Sequence, residues 1–117
     1  MARADRLARL DVRRLELEGD YREALVAALR QAAAGAVGLF DHQRDKRARA
    51  AIAPTIDALA ELGGEIDAMR DQLGLPPFAL QQDFLAARGP VGAQAVGERR
   101  QAQAWLDRLA GEGGASA

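Results

Sequence analysis

Between Ala48 and Leu73 the large apolar residues Ile52, Ile56, Leu59, Leu62, Ile66, Met69 and Leu73 follow one another at steps of four, three, three, four, three and four. Such spacing keeps them on one face of a helix of about 3.6 residues per turn, and it is incompatible with a strand, which shows every second residue to a core. This stretch reads as the central helix, whose apolar face every other element needs as a packing surface. Hydroxyl side chains are confined to Thr55, Ser116 and Tyr21, which removes most strand and turn chemistry. The expected fold class is all-α: a long antiparallel helical hairpin with two short C-terminal helices packed against it.

Upstream, Leu7, Leu10, Leu17, Tyr21, Leu25, Ala28, Leu29 and Ala32 share one face, and their phase is kept across Gly19. The spacing predicts a single helix over 2–34, even though Gly19 costs about 1 kcal/mol in a helix interior and Asp20 with Glu23 resembles a capping box. Val12, Leu15 and Val26 form a smaller stripe on its flank and are the candidate self-interface. The connection from Gly35 to Asp41 reverses the chain, with Gly35 closing the first helix and Asp41 capping the next.

Centred on that turn, the hairpin brings the basic set Arg6, Arg9, Arg13 and Arg14 near the acidic set Asp71, Asp67, Glu65 and Glu61. Pro54 either kinks the second helix or starts it. Gly63 and Gly64 read as a close approach of the opposite helix. Gly74-Leu75-Pro76-Pro77 is the clearest stop in the chain. Beyond it, 78–88 reads as a third helix whose Phe78 and Phe84 plug the hairpin, 91–97 as a glycine-punctuated loop, and 98–110 as a fourth helix. The domain is expected to span 1–110, with 111–117 a flexible C-terminal tail.

At 117 residues there is room for one core. Hydrophobic residues make up 49%, yet aromatics only 4%, so alanine carries the pattern and the core must be thin. A thin core is completed by long continuous contact or by oligomerisation. Sixteen basic and seventeen acidic residues leave a net charge of −1, so no global field draws the chain to nucleic acid or membrane. There is no cysteine for disulfide or thiolate chemistry. The charged N-terminus does not resemble a secretory signal, and the longest apolar run, Ala24 to Leu29, is far below a membrane span. A soluble cytoplasmic protein without a membrane partner is expected.

Chemistry-bearing constellations are sparse. His42 lies beside Asp41 with Asp45 one turn on, but one imidazole next to a helix start is thin ground for a metal site, and capping explains Asp41 equally well. Glu16, Glu18, Asp20 and Glu23 lack the histidines that a carboxylate-bridged bundle requires and read as a solvated face. The Gly35-x-x-Gly38 pattern reads as turn chemistry. No catalytic, cofactor or metal residue is expected. The basic group Arg44, Lys46, Arg47 and Arg49 opposes the dipole of the helix it starts and is able to receive an anion. Leu39 and Phe40 sit at the tip beside it. They are expected to be covered by the C-terminal helices; if presented instead, they become the anchors of a binding site with the arginines as rim.

By elimination, the expected function is a small non-enzymatic helical protein-protein interaction module, acting as homodimer, adaptor or inhibitor. The alternative is binding of nucleic acid or another polyanion through the basic end, Arg44 to Arg49.

Overall fold

In the computed structural model the apolar periodicities become four helices: α1 (Ala2–Ala33), α2 (Lys46–Gln72), α3 (Ala79–Ala87) and α4 (Glu98–Ser116). The structure describes residues 2–35, 39–40, 46–88 and 98–116. No strand occurs among them. The expected capping by Asp41, the glycine-punctuated loop over 91–97 and the His42 constellation lie outside the described residues.

Helix α1 is continuous. A side chain at Gly19 would meet nothing, and side-chain pairs brace the turns before it: Arg13 donates to Glu16 at 3.1 Å, and Arg14 donates to Asp11 and to Glu18, each at 2.7 Å. These three- and four-residue spacings stabilise an exposed helix by a few tenths of a kcal/mol per pair, together enough to offset much of one glycine (about 1 kcal/mol). Gly35, at φ 83°, ends the helix and donates its N–H to the Ala32 carbonyl.

Helix α2 also runs unbroken, with Pro54 inside it. Pro54 is exposed, as is Ala50, whose carbonyl the proline leaves without its helical donor. Ile52, Leu59 and Ile66 are buried, and Ile56, Leu62 and Met69 pack beside them. The helix stops where the sequence requires. Gly74 takes φ 72°, and Leu75 N–H reaches back to the Arg70 carbonyl at 2.8 Å, closing a Schellman-type cap before the prolines.

The core lies where α1 meets α2 on one side and α4 on the other. Leu17, Tyr21, Leu25, Ala28, Leu29 and Ala32 supply the α1 face. Phe78 meets Tyr21 edge-on at 5.3 Å, and Phe84 meets Phe40 at 5.9 Å and Trp105 at 6.1 Å. The phenylalanines thus plug the hairpin, as their position in the sequence suggests. Helix α4 runs antiparallel to α1: Arg99 donates to the Ala33 carbonyl at one end, and Arg22 donates to the Leu109 carbonyl at the other.

Three details depart from expectation. First, α4 continues to Ser116, past the helix end at Ala110 that the apolar spacing suggests. Arg108 pairs with Glu112 one turn on at 3.1 Å, and Arg22 lies 3.8 Å from the same carboxylate, so charge extends a helix that apolar spacing would end. Second, the basic and acidic sets of the hairpin do not meet as matched. Arg14 finds closer partners on its own helix, and the cross-pair that forms is Arg70 to Glu18 at 2.7 Å. Asp67 turns to α3. Third, the close approach falls at Gly63 alone and comes from α3, not from α1.

A Cβ at Gly63 would overlap the side-chain amide of Gln81, while one at Gly64 would meet nothing. Gln81 is 7% exposed and donates through Nε2 to Asp67 Oδ2 at 2.8 Å. Gly63→Ala therefore forces that amide off its carboxylate. The lost charge-assisted bond (about 2 kcal/mol) outweighs the regained helix propensity (about 1 kcal/mol) for a net loss of about 1 kcal/mol. In a Gln81→Ala background the same substitution should instead stabilise by about 1 kcal/mol. A denaturant double-mutant cycle reads the change of sign; equal effects in both backgrounds would refute the contact.

Candidate functional site

The tip of the hairpin is closed. Leu39 and Phe40 are both 0% exposed. The Phe40 ring sits against Phe84 and, at 6.1 Å, Trp105, while Arg88 of α3 donates through Nε to the Leu39 carbonyl at 2.9 Å. Covered in this way, both belong to the core cluster. The reason is composition: with so few aromatic rings, the two C-terminal helices need Phe40 to complete their own packing. Arg44 and the side chains of Lys46, Arg47 and Arg49 lie outside the described residues, so the basic collar is not placed.

The flank stripe divides. Val26 is half-buried and packs with Leu106 beneath α4. Val12 and Leu15 are 57% and 56% exposed. Their spacing explains both outcomes: Ala8, Val12, Leu15, Gly19, Arg22 and Val26 alternate steps of four and three, the seam of a helix that accepts a partner helix lengthwise. Helix α4 fills the end of the seam holding Arg22 and Val26 and leaves Ala8, Val12, Leu15 and Gly19 exposed.

Two of the depressions border α3. One, of about 350 Å³, lies between α1, α3 and α4, with Gly19, Phe78 and Leu80 among its lining and Glu18, Arg22, Asp83, Arg108 and Glu112 at its edge. Its charges are already matched. Arg108 donates to Asp83 at 2.7 Å and to Glu112, Arg22 holds the Leu109 carbonyl, and Glu18 accepts from Arg14 and Arg70. The second, of about 270 Å³, is a mainly apolar groove between α2 and α3 walled by Ile56, Leu59, Ala60, Gly64, Phe84 and Leu85, with Tyr21 at its base and Gln81 and Arg88 also in its lining. Leu85 stands 51% exposed on its rim.

Asp67 organises this part of the molecule, and sequence reasoning assigns it to a different partner. Its Oδ1 accepts the backbone N–H of Phe78 at 2.9 Å, and its Oδ2 accepts from Gln81. Phe78 is the N-cap of α3 and has no side-chain cap of its own, so Asp67 caps α3 from α2. The readable signal is the stop at Gly74 to Pro77, which returns Phe78 against the helix just left. Burial, and then the Asp67 carboxylate, push the Tyr21 phenol up to about 12. That hydroxyl therefore keeps its proton at neutral pH and is a poor general base.

Among the described residues, no group of three or more His, Cys, Asp or Glu side chains is disposed to hold a metal ion. None of the described helices is long and apolar enough to cross a membrane. No protein-family model matches the chain, and comparison with curated proteins and with solved structures returns no match.

Proposed function

We propose that the chain is a small non-enzymatic helical protein-protein interaction module that works by presenting the outward side of α1 to a partner helix, whether in a homodimer or as an adaptor or inhibitor. One observation carries this reading: the seam that α4 occupies at Arg22 and Val26 continues along α1 as Val12 and Leu15, both more than half exposed. Apolar side chains at seam spacing on an otherwise charged helix are the usual mark of a partner face. Val26, already covered, belongs to the fold and leaves the interface.

The test is Val12→Asp combined with Leu15→Asp. Both positions are surface positions, so helix content and unfolding midpoint should hold within about 0.5 kcal/mol per site. Association through this face should be lost, read as the recovery of complexes from cells. A variant that keeps every wild-type association would remove the reading.

A further inference from the structure

Only part of the basic and acidic sets that the hairpin leaves apart lies on the surface without a partner among the described residues. At the start of α1, 2–9 is exposed at every position. Arg3, Arg6 and Arg9 hold no ion pair among the described residues, and Leu7, 37% exposed, shares a shallow depression with Arg3, Arg6, Leu10 and Gln72. On α2, Asp57, Glu61 and Glu65 are exposed and likewise hold no ion pair among the described residues.

Their placement follows from helical spacing. Ile56, Ala60 and Gly64 recur every fourth residue and wall the apolar groove. Asp57, Glu61 and Glu65 each follow one of them, so an acidic ridge runs along the same groove on its outer side. Leu85 and Arg88 lie on the facing side, where Arg88 donates through Nε to the Leu39 carbonyl. A helix that fits this trough carries an apolar anchor for the groove and cations for the ridge. The first turns of α1 carry Leu7 with Arg3, Arg6 and Arg9, and within one molecule they lie away from the α2–α3 trough, beside Gln72 at the far end of α2.

We propose that a second copy of this chain supplies that helix: the arm of α1 around Arg3, Arg6, Leu7 and Arg9 lies in the α2–α3 groove of its partner, with the exchange made reciprocally in a closed two-fold dimer. This rests on the reading of the chain as an interaction module and names the self-contact. It uses a face distinct from Val12 and Leu15, which the dimer leaves open to another protein. Each copy offers both an arm and a groove, so a two-fold axis lets both contacts form at once and closes the assembly as a dimer. Because the matched charges lie on the rim, they set partner choice and salt sensitivity.

The experiment is sedimentation equilibrium of the full chain at low and high salt, with charge reversals made in separate variants. Arg6→Glu with Arg9→Glu inverts the arm, and Glu61→Arg with Glu65→Arg inverts the ridge. The wild type should dimerise at low salt and weaken as salt rises. Each variant alone should dimerise at least about tenfold more weakly, with helix content unchanged. An equimolar mixture of the two should regain a dimer, because both contacts are then between opposite charges. A monomeric wild type throughout, a dimer indifferent to both reversals, or a mixture that stays monomeric would each overturn the proposal. A dimer lost only in the Val12→Asp, Leu15→Asp variant would overturn it while leaving the interaction-module reading standing.

Discussion

Replacing Phe40 by alanine should cost about 3 to 5 kcal/mol, the usual effect of emptying a closed aromatic site. A domain of this size has a total stability of about 5 to 15 kcal/mol, so this one truncation brings the chain close to unfolding. The ring is fully buried and joins two helices, meeting Phe84 of α3 edge-on and Trp105 of α4 at a tilt. Each such aromatic pair is worth about 0.5 to 1.5 kcal/mol beyond its buried area. Loss of Phe40 should therefore loosen α3 and α4 together, read as a changed Trp105 emission in the native baseline and an earlier denaturant midpoint. Leu85→Ala is the control: that residue is 51% exposed, and its truncation should cost less than about 1 kcal/mol. A Phe40→Ala loss no larger than the control's would show that the tip is not part of the core.

Much of this architecture is legible without coordinates because it rests on long repeats. The phase shared by Ile52, Leu59 and Ile66 survives both Pro54 and the glycine pair, and the buried face of α2 is the one that phase selects. The stop at Gly74 is equally plain, since a positive φ followed by two prolines leaves the helix no way to continue. Charge pairing is not legible at the same level. Arginine is long and flexible, and Arg14 has acids three residues before and four after it on its own helix, so the local pair forms and the cross-helix match does not. The extension of α4 through Gly111 to Ser116 escapes the sequence for a related reason: apolar periodicity says nothing about a helix end held by Arg108, Arg22 and Glu112.

The candidate surfaces show the same division. Val12, Leu15 and Val26 are one stripe by spacing, and only the course of α4 decides that Val26 is covered and the other two are not. Leu39 and Phe40 are apolar and lie in a turn, which is equally consistent with core and with interface. Burial of the Phe40 ring is decided by Phe84 and Trp105, which come from distant parts of the chain.

Asp67→Ala should cost about 2 to 4 kcal/mol, because it strips α3 of the carboxylate that accepts from the Phe78 N–H and from the buried Gln81 amide at once. Asp67→Asn keeps an acceptor for one of the two donors and should cost about half as much. Amide hydrogen exchange should rise first along Ala79–Ala87, the helix that loses its cap. The single tyrosine gives an independent readout. In the folded protein Tyr21 is pushed up to about 12, first by burial and then by the Asp67 charge, whereas in the unfolded chain a phenol titrates near about 10. The folded state thus holds its proton more tightly. The resulting stability, about 3 kcal/mol, is fully present below about pH 10 and is lost as pH rises through about 12. Removing Asp67 abolishes the repulsion between carboxylate and phenolate but not the burial. Phenolate absorbance should then show a midpoint below that of the wild type and still above the free phenol, and the alkaline loss of stability should shrink in proportion. A midpoint unchanged by the substitution would mean that burial alone holds the phenol, and Asp67 would then act on α3 only through its two hydrogen bonds.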